Sequence, residues 1–122
     1  MKRWLFQSRV DAFSEMSDLP QTLRDSMDRE FVIWTTKIQQ HQTSKDGTEK
    51  LLLQLQDVGS IECVLLRDGP RRTICISSQV GCAMGCVFCA SGLDGVDRNL
   101  TTGEILEQTL ALQRLLPEHE RL

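Results

Sequence analysis

The spacing of apolar positions changes along the chain, and each change marks a different kind of element. Trp4, Leu5 and Val10 stand among polar residues over positions 2 to 10, a helical pattern. Ser17 and Asp18 precede Pro20, which opens a second helix where Leu23, Met27 and Phe31 recur at four-residue spacing and predict a buried stripe. Gln42-Thr43-Ser44-Lys45-Asp46-Gly47 is a turn-rich connector. Beyond it, Leu51-Leu52-Leu53-Gln54-Leu55 and Ile61 to Leu66 read as two strands joined around Asp57-Val58-Gly59, most simply a hairpin. A break at Arg67-Asp68-Gly69-Pro70 leads into Thr73-Ile74-Cys75-Ile76-Ser77, β-branched and apolar enough for a buried strand.

A helix closes the pattern. Thr101 with Glu104 three residues on forms a capping box, and Ile105, Leu106, Thr109, Leu112, Gln113 and Leu116 are expected along one helical face before Pro117 ends the run. Strand 73–77, loop 78–100 and helix 102–116 make one β/α unit. One such unit does not cover both faces of its own strand, so it calls for neighbouring units. The organisation expected is a helical accessory domain over 1–47, a β-hairpin connector over 48–70 and the β/α unit over 71–122.

Composition adds little to the fold but constrains function. The 122 residues, 40% apolar and 25% charged, are ordinary globular material. A net charge of −3 is no electrostatic footprint for a nucleic-acid binder, and only 5% of residues are aromatic, which disfavours a simple RNA-binding accessory domain. The basic and apolar start Met1 to Phe6 is too short for a signal-peptide core, and no stretch approaches the roughly 20 apolar residues of a membrane span. The chain reads as cytoplasmic and without membrane contact. Its five cysteines are an odd number, which in a reducing compartment favours metal or redox chemistry over a disulfide framework.

Three of those cysteines, Cys82, Cys86 and Cys89, stand at C-x3-C-x2-C spacing in a loop that also holds Gly81, Gly85 and Gly92. Soft thiolates this close suit an iron-sulfur cluster, and a four-iron cluster normally takes four of them. Offering three leaves one iron open to a small molecule, as in any catalytic metal site. A structural zinc site usually shows a second, separated ligand pair, and here His41 and His119 lie far from the loop. A small iron-sulfur electron carrier working without further cofactors would be expected to fill its fourth position.

The C-x3-C-x-aromatic-C pattern, with Phe88 as the aromatic residue, resembles that of radical S-adenosylmethionine (SAM) enzymes. The longer string Cys75-Ile76-Ser77-Ser78-Gln79-Val80-Gly81-Cys82, followed by Gly92, Gly95 and Arg98-Asn99-Leu100-Thr101, resembles the RlmN/Cfr family of RNA adenine methyltransferases. Arg3-Trp4-Leu5-Phe6, the segment Phe13 to Leu23, Ser44-Lys45-Asp46-Gly47-Thr48 and Ile61-Glu62-Cys63-Val64 match that family in the same order. Val96 departs from it, standing where Phe is common. The fold implied is α/β: a small helical domain and hairpin, then the first β/α unit of a partial (β/α)6 barrel.

The resemblance implies a radical SAM methyltransferase acting on carbon 2 of adenine in 23S rRNA and tRNA, with a 4Fe-4S cluster on Cys82, Cys86 and Cys89 and two SAM molecules. One SAM methylates a cysteine further along the full enzyme. The second is cleaved by one electron, and the radical it yields takes hydrogen from that methyl group. The methylene radical adds to adenine, and Glu62 is the implied general base that removes the ring proton. A carboxylate in a strand is otherwise most often a solvent-face residue. Cys75 is implied in a transient disulfide with the methyl-carrying cysteine, whereas Cys63 reads as a small apolar core residue. A monomer reduced by a donor such as flavodoxin completes the picture, with the carbon 8 branch of the family as the alternative. With one helix after the loop and a start that looks clipped, the chain is expected to be a fragment.

Overall fold

The structure, a computed structural model, describes residues 1–84, 93 and 95–122. It divides into two compact units, Met1–Thr35 and Thr36–Leu122.

The first unit holds helix α1 (Lys2–Phe6), a single 3-10 turn (Phe13–Glu15) and helix α2 (Gln21–Glu30). Its centre is Val10, Phe13 and Met16, with Trp4, Leu5, Leu19, Met27 and Ile33 packed around them. Two indoles are pinned by carboxylates: Trp4 Nε1 donates to Asp18 at 2.5 Å and Trp34 Nε1 to Asp11 at 3.1 Å. The helix expected over 2–10 stops at Phe6, because the chain turns back through Arg9, whose φ is +56°. Pro20 does precede α2, as expected, but the stripe along it is only partly core. Met27 packs inward, whereas Leu23 is 44% exposed and Phe31, beyond the helix end, is 61% exposed.

The second unit is a four-stranded antiparallel sheet in the order β1-β2-β3-β4, a short antiparallel ribbon of β5 and β6, and helix α3 (Thr102–Arg114). The strands are β1 (Lys37–Thr43), β2 (Glu49–Gln54), β3 (Ser60–Asp68), β4 (Arg71–Cys75), β5 (Gln79–Gly81) and β6 (Val96–Asn99). The expected hairpin is β2 and β3, with Leu51 opposite Cys63 and Leu53 opposite Ile61. Residues 37–43, expected within the helical stretch and connector, form instead the edge strand β1. Every residue of β1 is exposed and most are polar, which suits an unpaired edge and hides the strand from a hydrophobic-pattern reading.

Alternation along β3 sends Ile61, Cys63 and Leu65 inward with Leu51 and Leu53 of β2, and all five are buried. Helix α3 lies against β3 and brings Leu112 into the interior, and Leu116, just past its end, is buried as well. The helical face expected for α3 is corrected in part by the structure: Leu112, Gln113 and Leu116 are buried as expected, but Leu106 is 47% exposed, whereas Glu104, Glu107 and Gln108 are buried. The reason is hydrogen bonding. Glu107 accepts the Thr36 N–H at 2.8 Å, and the Gln108 amide both accepts from the N–H and donates to the carbonyl of Ser77, each at 2.8 Å. The architecture is a mixed helix-and-sheet body rather than a closed barrel, in keeping with a piece of a partial barrel.

Candidate functional site

The first cluster candidate, Cys82, follows directly on β5. It is a half-buried free thiol, and its backbone N–H donates to the Gly95 carbonyl at 3.0 Å. Strand β5 carries the chain into the cysteine loop and β6 carries it out, paired as Gln79 with Asn99, Val80 with Arg98, and Gly81 with Val96. Gly81 makes the closure sterically feasible. Its φ is +78°, and a Cβ there would stand 2.0 Å from the Gly95 carbonyl oxygen, so no other residue fits without moving the backbone. Cys86 and Cys89 lie outside the described residues. Among the described residues, no group of three His, Cys, Asp or Glu side chains is placed to hold a metal.

Glu62 stands on the face of β3 opposite the buried Ile61, Cys63 and Leu65 and is exposed. Its carboxylate pairs with Lys50 Nζ at 3.0 Å across β2. Cys75, also exposed, ends β4 opposite Val64, two residues from Glu62, so the two share a sheet face. The main chain of Glu62 is tied to the approach to the loop, since Ser77 Oγ donates to its carbonyl oxygen at 2.9 Å. Ser77 thus links β3 to Gln108 of α3 at the point where the chain leaves the sheet for β5. Cys63 is fully buried, and burial, with a smaller effect from Cys75, pushes its thiol up to about 12. It is a neutral core group and no ligand.

Sequence reasoning missed the charged cluster at the base of the loop. Arg98 of β6 donates through both terminal nitrogens to Glu104, at 2.9 and 2.7 Å, and through Nε to Asp57 at 2.8 Å. Glu104 is at the same time the capping residue of α3, accepting the Thr101 N–H at 2.8 Å while Thr101 Oγ1 accepts its own N–H at 3.2 Å. These contacts, the Arg98 guanidinium first, lower the Glu104 carboxyl to about 2 and hold Asp57 below the usual carboxylate range. The signal was present in the string Arg98-Asn99-Leu100-Thr101, but spacing alone does not reveal that Asp57, in the turn between β2 and β3, completes it.

No family model matches the chain. Individual relatives match it closely. A probable dual-specificity RNA methyltransferase RlmN of Rhodopirellula baltica is 64% identical over 122 residues, all of this chain and 33% of that protein. A protein of the same description from Bacillus cereus is 49% identical over 117 residues, 96% of this chain and 32% of the relative. The crystal structure of a radical SAM methyltransferase from Sphaerobacter thermophilus superposes with a TM-score of 0.84 at 37% identity, covering 93% of this chain and 33% of that one. The RlmN resemblance read from the cysteine motif therefore runs the length of the chain, and the fold is that of the amino-terminal part of a radical SAM methyltransferase. The chain spans about a third of the length of the relatives it matches.

Proposed function

We propose that this chain is the part of a radical SAM RNA methyltransferase that holds the iron-sulfur cluster and presents the general base for methylation of adenine carbon 2 in 23S rRNA and tRNA. The observation that carries the proposal is the Cys82, Cys86, Cys89 set, standing in a sequence 64% identical to an RlmN relative. The donor chemistry fits the group: three soft thiolates, the first of them free of any disulfide and carried on a backbone fixed by the β5–β6 ribbon. Cys82, Cys86 and Cys89 would hold the 4Fe-4S cluster, which would supply the electron for one-electron cleavage of SAM.

The remaining work assigned to this chain is positional and acid-base. Glu62 is accessible to a nucleobase on the open sheet face, and the Lys50 ammonium orients its carboxylate. The carboxylate takes the proton from carbon 2 of the methyl-bearing ring, which restores aromaticity. Cys75 is assigned to form a transient disulfide with the methyl-carrying cysteine of the complete enzyme, a reading supported by its exposure on the same sheet face as Glu62. RNA binding is assigned to the rest of that enzyme, since a net charge of −3 does not attract a polyanion. The enzyme works in the cytoplasm as a monomer, reduced by a flavodoxin-type donor. No helix among the described residues is long and apolar enough to cross a membrane.

The test uses the complete enzyme. Glu62→Ala should leave methylation of the carrier cysteine intact and stall RNA product, with 2-methyladenine measured by mass spectrometry of digested RNA. Unchanged RNA turnover removes Glu62 from the reaction. A product methylated at carbon 8 moves the chain to the other branch of the family.

A further inference from the structure

A two-stranded ribbon is marginally stable by itself, and β5 with β6 offers only three opposed pairs. Beyond its own backbone bonds and the buried Val80, the ribbon has a hold that lies outside it. Arg98 reaches from β6 to two other elements: both terminal nitrogens bond Glu104 in the first turn of α3, and Nε bonds Asp57 in the β2–β3 turn. Each carboxylate is fixed in turn. Asp57 accepts the Gly59 N–H at 2.9 Å through its other oxygen, and Glu104 is locked in the capping box with Thr101. The two arms differ in environment: the Glu104 side chain is 11% exposed and the Asp57 side chain 45%, so solvent screens the second more. A planar guanidinium serves a bidentate carboxylate and a second acceptor at once, which the single ammonium of lysine does not.

Across the ribbon, Arg98 stands opposite Val80, two residues before Cys82. The Cys82 N–H bonds the Gly95 carbonyl, and the Leu100 N–H bonds the Ser78 carbonyl at 2.9 Å, so the two ends of the ribbon are closed by backbone on either side of the Arg98 rung. We propose that Arg98 is a positioning residue for Cys82: by anchoring β6 to α3 and to the β2–β3 turn, it presets the main chain of the first cluster ligand before the cluster arrives. The inference rests on the cluster assignment made above. Pre-organisation of this kind acts on the ligand's geometry and on how firmly the cluster is retained rather than on the chemistry of the thiolate.

The test compares the complete enzyme with Arg98→Met, Arg98→Lys and the exchanged pair Arg98→Glu with Glu104→Arg. In the cluster-free proteins, amide hydrogen exchange is followed at Cys82 and Leu100, with Leu51, Leu53 and Leu65 as references in the sheet. After anaerobic reconstitution with iron and sulfide, loss of cluster to a chelator is followed by visible absorbance. Arg98→Met should speed exchange at Cys82 and Leu100 by on the order of tenfold, leave the sheet amides at their original rates, and shorten cluster lifetime by a similar factor. Arg98→Lys should fall between, and the exchanged pair should recover part of the loss. Unchanged exchange, unchanged cluster lifetime, or equal acceleration throughout the sheet overturns the inference, the last because it marks a merely structural role. Failure of the unsubstituted complete enzyme to take up any iron-sulfur cluster overturns the cluster assignment itself, and is separable because it appears without any substitution.

Discussion

The sheet β1–β4 and the ribbon β5–β6 are both antiparallel and adjoin in sequence, but different forces hold them. The sheet closes over Leu51, Leu53, Ile61, Cys63 and Leu65, which are buried and need no directional partner. The ribbon buries Val80 and is otherwise held by named polar contacts: Arg98 to two carboxylates, the Cys82 N–H to the Gly95 carbonyl and, just ahead of β5, Gln108 on both backbone groups of Ser77. Apolar burial is strong and tolerant of direction, whereas hydrogen-bonded charge is weaker per contact and fixes orientation. The body of the unit is built for stability and the base of the cysteine loop for placement.

Substitutions should separate the two regions. Leu65→Ala removes a fully buried side chain from the sheet and should cost about 2–5 kcal/mol in urea unfolding, with the ribbon affected only through global unfolding. Gln108→Leu leaves the N–H and carbonyl of Ser77 without their partner and should cost about 1–3 kcal/mol by the same measurement. It should also speed exchange at Leu100, which bonds the neighbouring Ser78 carbonyl. Gly81→Ala places a side chain at φ +78°, worth about 1–2 kcal/mol from the backbone conformation alone, and should lower iron content per chain after reconstitution while the sheet stays intact. A sheet that unfolds with it would erase the distinction.

The gentlest probe is pH. The Glu104 carboxyl is lowered from its ordinary 4.5 to about 2 in the folded chain, so its contribution is complete above pH 4.5 and is lost as pH falls toward 2. The thermal midpoint of Glu104→Gln should lie below that of the parent at neutral pH, and the gap should close across that acid window. A gap that persists unchanged at the acid end would show that the carboxylate's charge is not what anchors the ribbon.

Much of the sheet was legible because its buried strands alternate. Residues 51–55 and 61–66 were expected as strands, and β2 and β3 stand at 49–54 and 60–68; 73–77 was expected as a buried strand, whereas β4, at 71–75, has no buried residue because it is the far edge of the sheet. The Thr101–Glu104 box was legible because capping is local, and it is present as read. Features that depend on distant partners were not. Strand β1 carries no alternation because both its faces are open, and α3 buries Glu107 and Gln108 only because Thr36 and Ser77 present backbone groups to them. In α2 the four-residue stripe outran a ten-residue helix, leaving Phe31 outside. The cysteine motif was plain from spacing. Arg98 was visible only as a letter in a string, since its role depends on Asp57, 41 positions earlier in the sequence.

Cys63 offers a use unconnected with catalysis. Its sulfur is sealed inside the sheet and its thiol is pushed up to about 12, so a thiolate-selective alkylating reagent at neutral pH has almost nothing to react with while the sheet stands. It becomes an ordinary reactive cysteine once β2 and β3 separate. Mass-resolved alkylation of this one residue is therefore an internal clock for opening of the body of the unit, against which movements at the loop base are timed in the same tube.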